Sequence, residues 1–518
     1  MRVLPLALAG LLLGASAAGA LGVVGSTRAD RLLGTPRADM LNGKAGNDLL
    51  VGRGGGDLLL AGAGRDRVSA GPGADLVSVE YDGARDSVAC GPGRDTVTAD
   101  PLDRVAPDCE LVGRRLSRDP YTNSDSQHET EVEPDSFTFG RTTVAVFQVG
   151  RRRDGGASNI GYATSTDDGQ TWRNGLLPGL TVLSDPPGPS ARASDPVVGY
   201  DAAHGVWLAS TLALSADATR LAVNRSSDGL SWGNALAAAE ERVTDGIAFD
   251  KNWIACDNGT SSPYFGRCYL AFTHSTTQDA LEVLATDDAG LTWSAPVEVG
   301  VQHAVGVFPV VRPTGELVLV YLRETRPHAI AASRSRDGGT SFEEPVRVAD
   351  LSSPRDCAIP GFRMSPLPSA DVDASGRIWA SWHDCVAGGR RAVVLVSSST
   401  DGGSWGGPSR VPTGTDAVLP ALGIDPGSDR VALAYQRRLA AGLVVELVES
   451  AAGGGWGAPR RLSAQPMPLE WMPRTTSGRM LGDYISVHYA GGRPLVVWAL
   501  ASPPVRGELR QAIYATRG

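Results

Sequence analysis

Aspartate stands at every ninth position along one stretch of the chain, at Asp30, Asp39, Asp48, Asp57, Asp66 and Asp75. Each is followed two places later by an aliphatic residue: Leu32, Leu41, Leu50, Leu59, Val68 or Val77. A coil that turns once per nine residues lines these carboxylates up along its bends and points the aliphatic side chains inward. Stacked carboxylates repel one another unless a hard cation draws its several oxygens from adjacent turns, so the chemistry this spacing suits is calcium coordination. Asp86 and Asp95 resume the nine-residue step after a two-residue insertion. The candidate metal ligands are therefore Asp39, Asp48, Asp57, Asp66, Asp75 and Asp95. A Gly/Asp-rich flexible linker is the competing reading, and it leaves the phased aliphatics unexplained.

A second set of chemically capable residues recurs at roughly sixty-residue intervals from about residue 120. Seven dipeptides open an aliphatic strand pair: Glu133-Pro134, Asp195-Pro196, Asp250-Lys251, Phe308-Pro309, Leu367-Pro368, Leu419-Pro420 and Asp483-Tyr484. Between them lies a turn of the form Ser-x-Asp-x-Gly-x-Thr-Trp, as in Ser165, Asp167, Gly169, Thr171 and Trp172. It recurs around Asp288 and Asp337, and in shortened form around Asp228 and Asp401. Short strands with turn signals at this interval predict radial blades, hence an all-β chain in which a β-propeller follows an N-terminal parallel β-roll. Seven blades are preferred, with six the alternative. The last unit ends on a third strand, Ala512 to Thr516, so a strand near residues 110 to 132 must close the ring. The expected domains are a signal peptide at 1–20, a calcium-binding roll at 25–110, a linker with the closing strand at 111–132, and the propeller at 133–518.

On that plan the strand openings and the loops between second and third strands share one mouth of the central channel. Glu133, Asp195, Asp250 and Asp483 come to the openings, and Asp154, Arg323 and Arg437 to the loops. Paired carboxylates do acid and base work at an anomeric centre, and Arg forks hold carboxylate groups, so the mouth suits a glycan or uronate. Asp before Pro also caps turns, which is the purely structural reading of the same acids. In Asp250-Lys251-Asn252-Trp253 the Lys ammonium either bridges carboxylates across the channel or simply packs beside a disulfide loop.

Two resemblances carry these readings further. The nonapeptide segment resembles the repeats of RTX, or haemolysin-type, calcium-binding proteins, whose turn is Gly-Gly-x-Gly-x-Asp-x-aliphatic-x. Gly43, Gly46, Asp48 and Leu50 fit with Lys44 intruding, and Gly62, Gly64, Asp66 and Val68 fit except for Ala61. Arg28 and Arg37 replace glycine in the first turns. The Ser-x-Asp turns resemble the Asp-box, or BNR repeat, of the sialidase superfamily over nearly all of residues 120–518. That likeness implies a propeller, and boxes by themselves say nothing of chemistry. It also implies candidate catalytic residues, Asp154 at the place of the acid/base and Tyr484 near the late tyrosine nucleophile; Glu133 and Asp250 join them as carboxylates of the strand openings. Arg323, Arg363 and Arg437 become candidate substrate-binding residues beside Asp195 and Asp483. The family's Arg-Ile-Pro does not occur; the corresponding stretch, Gln127 to Glu133, is acidic where a sialic acid carboxylate would be held.

Composition sets the surroundings. Arg2, the apolar run Val3 to Leu13 and the small residues Ala15, Ala17, Ala18 and Ala20 read as a secretory signal too short to span a bilayer. Export makes disulfides the default for six cysteines, and proximity pairs Cys90 with Cys109, Cys256 with Cys268, and Cys357 with Cys385. A net charge of −9 argues against nucleic acid as partner. The expectation is a secreted, calcium-binding, sialidase-like monomer that acts on or binds extracellular carbohydrate, with exo-sialidase-like glycoside hydrolysis as its enzymatic form. A non-catalytic structural or adhesive surface protein is the alternative.

Overall fold

The computed structural model describes residues 2–3, 21–80, 82–243, 246–352, 357–386, 389, 391–451 and 455–518. The signal sequence expected at 1–20 lies outside these, apart from the backbone of Arg2–Val3. Among the described residues there is no α-helix, only two 3-10 turns, Ser275–Thr277 and Leu469–Trp471. Among these residues no helix is long and apolar enough to cross a membrane.

The nine-residue phase builds two parallel sheets. Gly22–Val24, Met40–Asn42, Leu58–Leu60, Leu76–Val79 and Thr96–Ala99 stack on one side, and Arg31–Leu33, Leu49–Val51, Arg67–Ser69, Ser87–Ala89 and Arg104–Val105 on the other. In the first coils partners lie eighteen residues apart, Leu41 on Leu59 and Leu50 on Val68, because two nine-residue half-turns complete one coil. Leu32, Leu41, Leu50, Leu59, Val68 and Val77 are all buried between the sheets, as their phase predicts. At the end of this coil the Cys90–Cys109 disulfide is formed.

From Glu131 onward the chain is antiparallel. Among the described residues it six times lays down four successive strands, whose first members are Glu131–Phe139, Arg192–Asp201, Phe249–Cys256, Ala304–Val311, Ser369–Val372 and Ala417–Ile424. A seventh group contains Ser486–Ala490, Arg493–Val505 and Glu508–Arg517, and its fourth strand is Leu111–Arg115 from the other end of the chain. Each first strand touches the first strand of the next group, and the seventh touches the first. Second strands are sandwiched between neighbouring groups. Accordingly, Leu317, Val318, Leu319, Val320, Tyr321 and Leu322 are buried in unbroken succession, without the alternation of a half-exposed strand.

The Ser-x-Asp turns join third strands to fourth. Asp167 Oδ1 accepts the N–H groups of Gln170 and Thr171 at 3.1 and 2.8 Å, while the Thr171 hydroxyl donates to Oδ2 at 2.6 Å. The turn glycines have positive φ, 80° at Gly169 and 78° at Gly290. They also face the preceding group: a side chain on Gly290 would meet Leu208 at 3.1 Å, and one on Gly169 would meet Leu495 at 3.1 Å. The turn thus braces one sheet against another. Asp167→Ala removes the acceptor for these donors and is expected to cost roughly 1–3 kcal/mol. Thermal denaturation checks this, and an unchanged midpoint would leave the turn with no bracing role.

Candidate functional site

In the roll, each carboxylate reaches back one full coil. Asp57 Oδ1 accepts the N–H of Asp39 at 2.8 Å, Asp75 Oδ1 that of Asp57 at 2.7 Å, and Asp95 Oδ1 that of Asp75 at 2.8 Å. A second ladder runs through Asp30, Asp48, Asp66 and Asp86. The second oxygen of Asp48, Asp57, Asp66, Asp75, Asp86 and Asp95 is buried with no hydrogen-bond partner. Burial pushes Asp57 and Asp86 up to about 7, and Asp66 and Asp75 up to about 6. A row of buried, unpartnered carboxylate oxygens suits a hard cation, whose remaining ligands would be backbone carbonyls of the bends. The bends are tight enough for that: a side chain on Gly25 would meet the Gly43 carbonyl at 2.6 Å and Asp30 Oδ2 at 3.0 Å. Among the described residues no three His, Cys, Asp or Glu side chains converge on one point. Each position therefore offers isolated carboxylates plus main chain.

Two rungs were not legible from the period. The ladders end on Glu110, whose Oε2 accepts the Asp95 N–H at 2.8 Å, and on Asp103, whose Oδ1 accepts the Asp86 N–H at 3.0 Å. They sit fifteen and seventeen residues on, where the repeat predicts eighteen.

At the mouth of the antiparallel groups, first strands carry a bulge at a recurring register. Glu133, Asp195, Lys251, Gly306 and Leu419 all have positive φ, of 53°, 46°, 51°, 66° and 49°. The ladder skips at each: between Val132 and Asp135, Ser194 and Val197, Asp250 and Trp253, Val305 and Phe308, and Val418 and Ala421. Proline follows three of these residues because a bulge is where a strand can lose an N–H. In the fourth group the bulge lies at Gly306, two residues before Phe308-Pro309, so the opening expected there is shifted.

The bulges bring acids and cations together. Lys251 Nζ lies 2.7 Å from Asp483 Oδ2 and 3.4 Å from Asp195 Oδ1. Arg363 grips Asp483 with both ends of its fork, Nε to Oδ1 at 2.9 Å and Nη2 to Oδ2 at 2.5 Å. Glu133 accepts from Gln148, which also accepts from buried Arg151 at 3.2 Å. Burial, reinforced by Asp195, raises Glu133 well above the usual carboxylate range, and burial raises Asp250. For Asp483, burial is outweighed by Lys251 and Arg363, which hold it well below that range. The same acids raise Lys251 against the effect of its burial. Tyr484 stands against Trp253 at 5.1 Å between ring centres and donates to the Pro196 carbonyl at 3.3 Å. Its burial keeps the phenol protonated far above the ordinary range.

The structure thus assembles Glu133, Asp195, Asp250, Asp483, Arg363 and Tyr484. It leaves three candidates outside. Asp154 is exposed and paired with Arg192 at 2.9 Å, Arg323 is exposed at the end of Leu317–Arg323, and Arg437 is held by Glu446 at 2.6 Å. Lys251 does bridge carboxylates, over sequence separations of 56 and 232 residues that no local pattern announces. Gln148 and Arg151 complete the cluster.

Three acids of this assembly are buried, while Asp250, Lys251, Tyr484 and Arg363 keep partial exposure. Glu133, Asp195 and Asp483 are 1%, 4% and 4% exposed. The hairpin formed by Arg474–Thr475 and Gly478–Arg479 is bonded to the Arg363 loop through Arg363 N to Arg479 O at 2.7 Å and to Gln127 through Arg474 N at 2.8 Å. The cavity beside Lys251, Leu367, Leu419 and Tyr484 is about 30 Å³, space for one or two waters and too small for a sugar ring.

Comparison with known proteins agrees with the roll. The RTX calcium-binding nonapeptide repeat matches residues 24–59 and 51–78 in four copies. No curated protein sequence matches the chain. Solved structures with a similar course include the intramolecular trans-sialidase of Ruminococcus gnavus, 14% identical over 62% of this chain and 92% of that one, with a TM-score of 0.43. An α-L-arabinanase of Penicillium chrysogenum is 14% identical over 62% and 92%, with a TM-score of 0.40. An ulvan lyase is 12% identical over 77% and 98%, with a TM-score of 0.46. Likenesses this distant carry no chemistry across. What stands is the N-terminal segment, which consists of RTX calcium-binding nonapeptide repeats.

Proposed function

We propose that the chain is a secreted, calcium-binding protein in which a seven-bladed, Asp-box β-propeller, residues 133–518 closed by the strand within 111–132, meets extracellular carbohydrate at its mouth. Asp39, Asp48, Asp57, Asp66, Asp75 and Asp95 supply carboxylates to the calcium ions. The observation that carries the carbohydrate reading is the convergence of Glu133, Asp195, Asp250 and Asp483 with Lys251 and Arg363 at the strand openings. In the hydrolytic form, Glu133 holds the proton and an ionised aspartate opposes it, the split of protonation that acid/base chemistry uses. Asp250, Tyr484 and the rim residue Asp154 are the other catalytic candidates. Arg323 and Arg437 would grip substrate from the rim, with Arg363, Asp195 and Asp483 beneath.

The burial of Glu133, Asp195 and Asp483 favours a second reading, a scaffold whose buried ions lock blades together. A glycan array and a hydrolysis screen on the calcium-loaded full chain separate the two. The carbohydrate reading expects a retained glycan that Asp154→Asn or Arg323→Ala releases with no change in melting temperature, because both side chains are exposed. It expects little or no sialic acid release, given the acidic Gln127 to Glu133 stretch. No retained glycan and no released sugar would leave the scaffold.

A further inference from the structure

One strand belongs to both halves of the molecule. Leu111–Arg115 pairs in parallel with Thr96–Ala99, the last rung of the roll, in the register Thr96 to Leu111 and Ala99 to Arg114. On its other edge it pairs antiparallel with Glu508–Arg517, in the register Val112 to Arg517 and Arg115 to Tyr514. The roll and the C-terminal group therefore form a single continuous sheet. The seam is polar as well as ladder-bonded. Thr96 donates to the Arg461 carbonyl at 2.9 Å, Ser502 to Glu80 at 2.9 Å, and the Ile513 N–H to Ser117 at 2.8 Å.

Asp95 stands at the entry to this strand and is committed on three sides. Its N–H donates to Glu110 at 2.8 Å, its carbonyl accepts the Leu111 N–H at 3.0 Å, and its Oδ1 accepts the Asp75 N–H at 2.8 Å. Its Oδ2 is buried and unpartnered. Glu110, the residue immediately before the shared strand, replaces the aspartate of the period, and the Cys90–Cys109 bond fixes its neighbour. All of this lies beyond residues 24–78, where the repeat family matches.

We infer that the Asp95–Glu110 rung is the roll's terminal calcium position, and that cation binding there seats Leu111–Arg115 and so closes the antiparallel ring through Glu508–Arg517. The physical reason is local. Without a cation, the buried Asp95 carboxylate bears its burial and the nearby charge of the exposed Glu110 carboxylate, and letting the rung open relieves both. Opening frees Leu111, and the outer edge of the C-terminal group then loses its partner. With the cation, the rung is held and the shared strand with it. This rests on the calcium reading of the roll, and the test keeps the two apart.

Hydrogen exchange of the full chain, in calcium chloride and in chelator with magnesium as control, reads each strand separately. At calcium about a hundred times its dissociation constant, opening linked to one site slows about a hundredfold. That slowing is expected in Leu111–Arg115 and Glu508–Arg517, and not in Leu317–Arg323 on the far side of the ring. Glu110→Gln should lose the effect in Glu508–Arg517 while Met40–Asn42 and Leu58–Leu60 keep theirs; Asp39→Asn should do the reverse. Slowing in the roll with Glu508–Arg517 unmoved would overturn the coupling and leave the calcium reading intact. No slowing anywhere would remove both. The wild-type comparison decides the matter even if a variant fails to fold.

Discussion

Lys251→Met is expected to lower stability by about 3–5 kcal/mol, the cost typical of removing one partner from a buried ion cluster. The ammonium touches Asp483 and Asp195 and lies near Glu133 and Asp250, so its loss leaves four acids facing Arg363 and Arg151 alone. Some relief comes from protonation, since Glu133 and Asp250 already sit high. Asp483 has none, because Arg363 still favours its ionised form. Denaturant unfolding measures the loss. Lys251→Arg, which keeps the charge, should recover part of it, whereas exposed Asp154→Asn should unfold like the parent. Equal stability of Lys251→Met and the parent would mean that the cluster is solvated and the mouth open.

Removing calcium is the second large perturbation. Chelation is expected to abolish the β signal of residues 21–110 in circular dichroism at pH 8, and calcium at millimolar levels to restore it, because the buried carboxylates of the two ladders cannot all ionise without a cation. Proton linkage adds a direction. Folding raises Asp57 and Asp86 to about 7, and Asp66 and Asp75 to about 6, from an ordinary 3.8. The folded metal-free roll then binds more protons than the unfolded chain, so its stability is present at acid pH and is lost as pH rises toward about 7. Chelated protein should be more ordered near pH 4 than at pH 8, the opposite of ordinary acid unfolding. Identical spectra with and without chelator at both pH values would reject a calcium-dependent roll.

How far the sequence could be read follows from how local each feature is. The roll was legible because its period is short and strict; Glu110 and Asp103 were hidden where the period breaks. A closing strand between residues 110 and 132 followed from an unfilled edge, and Leu111–Arg115 occupies it. That it also prolongs the roll could not be seen, since parallel pairing leaves no turn in the sequence. The acids of the mouth were legible as strand openings, and the three local disulfides as near neighbours. The hairpin that holds the Arg363 loop belongs to no repeat, so Arg363 had no periodic signal. Arg437 was placed at the rim by position, but the cross-strand Glu446 that claims it lies nine residues away on the partner strand.

The recurring bulge shows where the chain accepts strain. A non-glycine residue in the left-handed region costs roughly 1–2 kcal/mol, and glycine would avoid it. The fourth group takes that course with Gly306, so the backbone itself demands no side chain at this register. Glu133, Asp195 and Lys251 keep long or charged side chains there nonetheless. The three positions trade conformational ease for the groups they display. The charged arc from the first group to the third thus displays ionisable groups on backbone that glycine would adopt at less cost, as Leu419 displays an apolar one in the sixth group.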